Sequence, residues 1–214
     1  MKNFTSTTIL LITLLIARIS TAQTSPDTIA GEYYLEGVME TATAILLKPD
    51  HKFEIFYSYG AVDRQGKGNW KLENDKIILN SAKWPKSDFS LISSTSSSDS
   101  LTIVKITDPN QQILPFFEVM LRTADGDKLG KTDSEGTFTI QKSKVRAIEL
   151  YFALCPERFT TVPNNSDNNY FEFKTEPWIA EIFTENIVLS VTKEGLKGEH
   201  PLLKGNEFLY LKAK

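Results

Sequence analysis

Lys131-Thr132-Asp133-Ser134-Glu135-Gly136-Thr137-Phe138-Thr139-Ile140 sets a polar reversal directly before an extended β-type segment. It follows Leu114-Pro115-Phe116-Phe117-Glu118-Val119-Met120-Leu121 at the distance of one hairpin. The Asp-Ser-Glu-Gly tetrapeptide joins residues that bond their own backbone to one that accepts φ > 0, so it reverses the chain. Thr137, Phe138 and Thr139 then restart an extended segment of β-branched and aromatic residues. The expectation is a β-hairpin with Gly136 at positive φ.

Around this stretch the apolar residues keep a period of two. Residues 101–106 alternate, Asp108-Pro109-Asn110 turns the chain towards 117–122, and Ala124-Asp125-Gly126-Asp127 turns it again. Residues 145–154 form a strong apolar strand with Ile148, Leu150 and Phe152 in step, and 164–169 read as a loop. Later strands are expected at 170–173, 179–183, 187–191 and 208–211.

The N-terminal half repeats the pattern. Residues 31–36, 41–47 and 52–59 read as strands, and in the third Phe53, Ile55, Tyr57 and Tyr59 share one face. Phe56 falls on the opposite face with Glu54 and Ser58. Gly66 and Gly68 mark a turn or bulge before Trp70 and Leu72, and Asn74-Asp75 makes a hairpin into Ile77-Ile78-Leu79. This is a five-strand antiparallel meander whose short loops leave no room for crossover helices, which excludes a parallel sheet there. Trp84-Pro85 and a short strand at 89–92 follow, and then a polar, Ser-rich run.

The fold class expected is therefore all-β. Residues 23–92 form the antiparallel meander (a partial barrel or small sandwich), 93–100 a Ser-rich linker, and 101–214 a β-sandwich. Residues 1–22 read as a signal peptide. Lys2 gives a positive start, 9–17 is an apolar run too short to span a bilayer, and Ser20-Thr21-Ala22 suits cleavage before Gln23. The protein is then expected to be exported to a periplasm, a cell surface or the extracellular space. No second long apolar run follows, so no transmembrane segment is expected in the mature chain.

Removing the 22-residue leader from 214 residues leaves 192, enough for one large or two small domains. It also removes Lys2 and Arg18 and moves the formal charge from −3 to −5. That mild acidity argues against nucleic acid as a partner. Cys155 is the single cysteine, so there is no internal disulfide framework. It reads as a buried free thiol before Pro156 in preference to a link with another chain.

Chemistry-bearing patterns are sparse. His51 and His200 both neighbour turn residues and have no His or Cys at metal-ligand spacing, so both read as surface-loop residues. There is no Gly-x-Ser-x-Gly elbow and no Gly-rich phosphate loop. Asp125, Asp127, Asp133 and Glu135 are out of order for a calcium loop and read as turn formers. No catalytic residue, metal site or cofactor is expected. The aromatic residues of the meander are mostly sheet packing, but Tyr34, Phe56 and Tyr59 form the candidate ligand-binding strip, able to stack on sugar rings or line an apolar pocket.

Residues 101 to about 154 resemble the carboxypeptidase regulatory-like, or CnaB-like, domains. The matching elements are Ile106-Thr107-Asp108 with Asn110, Leu114-Pro115, Val119-Met120-Leu121 and, above all, Thr132-Asp133-Ser134-Glu135-Gly136-Thr137-Phe138. The resemblance implies a prealbumin-like β-sandwich of about seven strands without catalytic machinery. Gly31-Glu32-Tyr33 and Gly68-Asn69-Trp70-Lys71-Leu72 make the first module similar to a lipocalin-like meander. The function expected is a non-catalytic binding or scaffold protein acting through β-sandwich loops or edges on a protein or glycan. The alternative is a lipocalin-like carrier of a small apolar ligand, which wants about eight strands around its cavity.

Overall fold

The alternation written into the N-terminal half becomes an alternation of inward and outward side chains. In the computed structural model, which describes residues 26–60 and 62–214, five strands pair in order, each antiparallel to the next. They are β1 (Gly31–Glu36), β2 (Thr41–Leu47), β3 (Lys52–Tyr59), β4 (Val62–Glu73) and β5 (Lys76–Ser81). Tyr33, Ile45, Leu47, Phe53, Ile55, Trp70, Ile77 and Leu79 point inward and are buried. The expected leader, residues 1–22, lies outside the described residues.

Eight strands follow: β6 (Phe89–Thr95), β7 (Leu101–Thr107), β8 (Phe117–Thr123), β9 (Lys128–Lys131), β10 (Thr137–Gln141), β11 (Val145–Phe152), β12 (Phe159–Pro163) and β13 (Tyr170–Thr175). They make two four-stranded sheets, in the orders β10-β7-β13-β6 and β12-β11-β8-β9. Val104, Ile106, Phe117, Val119, Ile148, Leu150 and Phe173 are among the side chains of the core they share. Cys155 is a free, buried thiol packed into it.

The turn at 132–136 differs from a simple hairpin. β9 pairs with β8 in one sheet, whereas β10 pairs with β7 in the other, so this turn carries the chain between sheets. Its local chemistry is as read from the sequence. Gly136 has φ +78°, and a Cβ there would collide with the Ile106 carbonyl oxygen. The Asp133 Oδ1 accepts the Glu135 and Thr137 N–H groups, each at 2.9 Å. Turn residues specify a reversal but not the strand that the chain will pair with next.

The last strands are β14 (Ile187–Val191), β15 (Gly195–Gly198) and β16 (Phe208–Lys212), and they correct the expected domain organisation. β14 pairs with β5 and β16 with β1, closing an eight-stranded barrel in the order β1-β16-β15-β14-β5-β4-β3-β2. The sandwich is thus inserted into a barrel made from both ends of the chain, and 101–214 is not one sandwich. Nor is 93–100 a linker throughout, since Ser93–Thr95 lie in β6, in register with residues 170–172. The physical reason is edge satisfaction. A five-stranded meander exposes unpaired backbone groups along two edges, and closure removes both.

Two smaller expectations also change. Residues 179–183 are a turn and an extended connection from sandwich to barrel rather than a strand. Gly66 and Gly68 lie within the continuous β4 instead of in a turn. A Cβ on Gly66 would strike the carbonyl oxygen of Ile182, whose N–H donates to Gln65 O at 2.7 Å. The barrel interior is filled by side chains, including Tyr33, Phe53, Trp70 and Tyr210, with Ile29 and Ile182 packed against them. His200, expected in a surface loop, is 4% exposed and stacks on Tyr210.

An ionic network joins barrel and sandwich. Arg64 on β4 is 3% exposed and forms a fork to the Glu157 carboxylate through Nη1 at 3.2 Å and Nη2 at 2.5 Å. Burial acts to raise the Glu157 pKa, but the Arg64 hydrogen bond and charge outweigh it, and the net shift is downward. Arg158 donates from Nε to Asp88 Oδ2 at 2.6 Å, and its Nη atoms bond the carbonyls of Trp178, Ile179 and Glu181.

Candidate functional site

Register on the outer wall of the barrel lines up side chains from four strands. Glu32 on β1 lies opposite Leu46 on β2, Leu46 opposite Glu54 on β3, and Glu54 opposite Lys67 on β4. The adjacent outward row is Tyr34, Ala44, Phe56 and Gln65. Because neighbouring strands are about 4.8 Å apart, Tyr34 and Phe56 stand about 9.5 Å apart at the backbone, with only the methyl group of Ala44 between them. Two rings flanking a small residue make a groove.

These residues line a depression of about 520 Å³, which also takes in Glu181 from the connection between sandwich and barrel. Tyr34 is 46% exposed and Phe56 37% exposed, so both rings present surface to solvent. The Tyr34 hydroxyl donates to Glu32 Oε2 at 2.7 Å. That hydrogen bond, followed by the charge of Glu32, raises the phenol's pKa. Lys48 Nζ meets Glu54 Oε1 at 2.5 Å, which holds the second carboxylate at the groove margin. The polar groups are therefore mostly acceptors (Glu32, Glu54 and Glu181), with Gln65 able to do both and Lys67 to donate.

The structure brings together two members of the expected aromatic strip and separates the third. Tyr59 has the inward parity of Phe53, Ile55 and Tyr57, but lies at the end of β3, opposite Thr41 and Val62, where it is exposed. It does not line the groove. Sequence reading missed Glu181, Glu32 and Gln65. Glu32 carries a weak signal, since it shares strand and face parity with Tyr34, whereas Gln65 is placed only by its register opposite Phe56. Glu181 carries none, because its place depends on the return of the chain from the sandwich.

Among the described residues, no group of three or more His, Cys, Asp or Glu side chains is arranged to hold a metal ion. No helix among them is long and apolar enough to cross a membrane. The acids of the turns have local partners: Asp125 accepts from Ser143 Oγ, and Asp127 pairs with Arg122. No protein-family model matches the chain, and neither the curated proteins nor the solved structures contain a match to it.

Proposed function

We propose that the chain is an exported, non-catalytic binding protein whose ligand lies across the outer wall of the barrel, and that the ligand is a short saccharide. The observation that carries this reading is the double row across β1 to β4, in which Tyr34 and Phe56 flank Ala44 beside the Glu32 and Glu54 carboxylates. Sugar rings offer C–H faces to aromatic rings and hydroxyl edges to carboxylates and amides. Groove volume and lining both fall within the habit of small-molecule sites. Glu54 and Glu32 are engaged by Lys48 and Tyr34 in an open groove, an arrangement suited to accepting hydroxyl protons rather than to bond cleavage.

The inserted sandwich acts in this reading as a scaffold that supplies Glu181 and buttresses the barrel. Its kinship with carboxypeptidase regulatory-like domains is supported by its two facing sheets and by the turn at Asp133 and Gly136. The carrier alternative has the closed eight-stranded barrel in its favour. A lumen occupied by Tyr33, Phe53, Trp70 and Tyr210 leaves the outer groove as the better site. A panel of neutral oligosaccharides titrated against the full chain tests the reading. Phe56→Ala and Tyr34→Ala should each weaken the best ligand by about tenfold, as expected for loss of one stacking ring. Unchanged affinity in both variants would refute the groove.

A further inference from the structure

A second depression lies where the chain passes between barrel and sandwich. Its volume is about 630 Å³, and its walls are the outgoing connection after β5 and the returning connection before β14. We propose that this cleft is a binding site for an acidic saccharide unit, a sugar ring bearing a carboxylate, separate from the groove on the outer wall.

Charge supplies the first argument. Lys83 and Lys86 both line the cleft, and neither has an ion-pair partner among the described residues. Among the described residues Glu185 is the one acid in the lining, so their side-chain charge there is +1, in a protein whose overall formal charge is −3. The outer groove has the opposite balance, with Glu32, Glu54 and Glu181 against Lys67. An anionic ligand is therefore drawn to the cleft and repelled from the groove.

Shape and hydrogen bonding supply the second. Trp84 and Phe183 give the cleft two aromatic rings that are fixed before any ligand arrives. The Trp84 indole N–H donates to Asp88 Oδ1 at 3.0 Å. The Arg158 guanidinium lies 6.0 Å from the Trp84 ring centroid and 5.1 Å from that of Phe183. Rings braced in this way offer a sugar face a surface at little cost in side-chain ordering. Asn80 uses its Oδ1 to accept the Asn186 backbone N–H at 2.8 Å, which leaves its amide protons to donate.

The test is calorimetric titration of the full chain with trigalacturonate, with maltotriose and acetate as the neutral-sugar and bare-carboxylate arms. With the outer groove weakened by Phe56→Ala, trigalacturonate should bind at least tenfold more tightly than either, and more weakly as salt rises. The exposed pair Lys83→Gln and Lys86→Gln, made together, should weaken it by at least tenfold. Phe56→Ala, which weakens the groove, should leave the affinity for trigalacturonate as in the wild type, which separates this site from the outer groove. The proposal is overturned by the absence of binding heat from trigalacturonate, by equal affinity for maltotriose or acetate, or by wild-type affinity in the double lysine variant. It is equally overturned if Phe56→Ala abolishes trigalacturonate binding.

Discussion

At Gly136 a missing Cβ lets the turn between the two sandwich sheets close against the Ile106 carbonyl oxygen, with the Ile106 N–H returning a 2.7 Å bond to Gly136 O. Gly136→Val meets both a positive φ and that oxygen, and should destabilise the protein by about 1–3 kcal/mol, read from urea denaturation. His200 acts at the same scale. Its Nδ1 accepts the N–H groups of Leu202 and Leu203, each at 3.0 Å, so the neutral ring carries its proton on Nε2 and donates to Thr43 Oγ1 at 2.9 Å. Burial pushes its pKa from 6.5 down to about 4. Below about pH 6.5 the unfolded imidazole takes up a proton that the folded one refuses. Stability should therefore fall between about pH 6.5 and pH 4 and then level off, by about 3 kcal/mol in all. His200→Gln should flatten that limb in a series of denaturation curves, and an unaltered pH slope would count against this account of the ring.

Strands that carry their own period of two are legible in the sequence: 31–36, 41–47, 52–59 and 187–191 have the same bounds in the structure, whereas the short β9, β12 and β15 are not expected from it. Pairing across short loops, as in β1 to β5, is legible, but pairing between distant strands is not, because backbone edges are identical whatever the sequence. Hence the sequence leaves 187–191 and 208–211 with the sandwich, gives no strand at 195–198, and makes the turn at 132–136 a hairpin within one sheet. The site divides in the same way. Phe56 was visible as an aromatic residue on a polar face. Tyr59 was grouped with it against its own parity, and Glu181 depends on a connection whose path no local pattern encodes. That connection is held by the Arg158–Asp88 pair, whose side chains are 8% and 4% exposed. Arg158→Met would leave Asp88 buried without its ion-pair partner and should cost about 3–5 kcal/mol, whereas adding Asp88→Asn to it should recover part of the loss. A double-mutant cycle from chemical denaturation measures both.

For the whole molecule, an eight-stranded barrel assembled from the first five and last three strands makes the two ends of the chain interdependent. The sandwich is held in that frame by Arg64, Glu157, Arg158 and Asp88, which fix the two connections and, with them, the outer groove and the cleft. Both candidate sites take their shape from this closure, because Glu181 in one and Phe183 and Thr184 in the other arrive on the returning chain. Interstrand nuclear Overhauser effects in isotope-labelled protein test the closure directly. The barrel requires contacts between Tyr34 and Leu211, between Glu36 and Leu209, and between Leu79 and Ile187, the register of β1 with β16 and of β5 with β14. Contacts from residues 208–212 to sandwich strands, with none to residues 33–36, would contradict the inserted-sandwich barrel and the sites built on it.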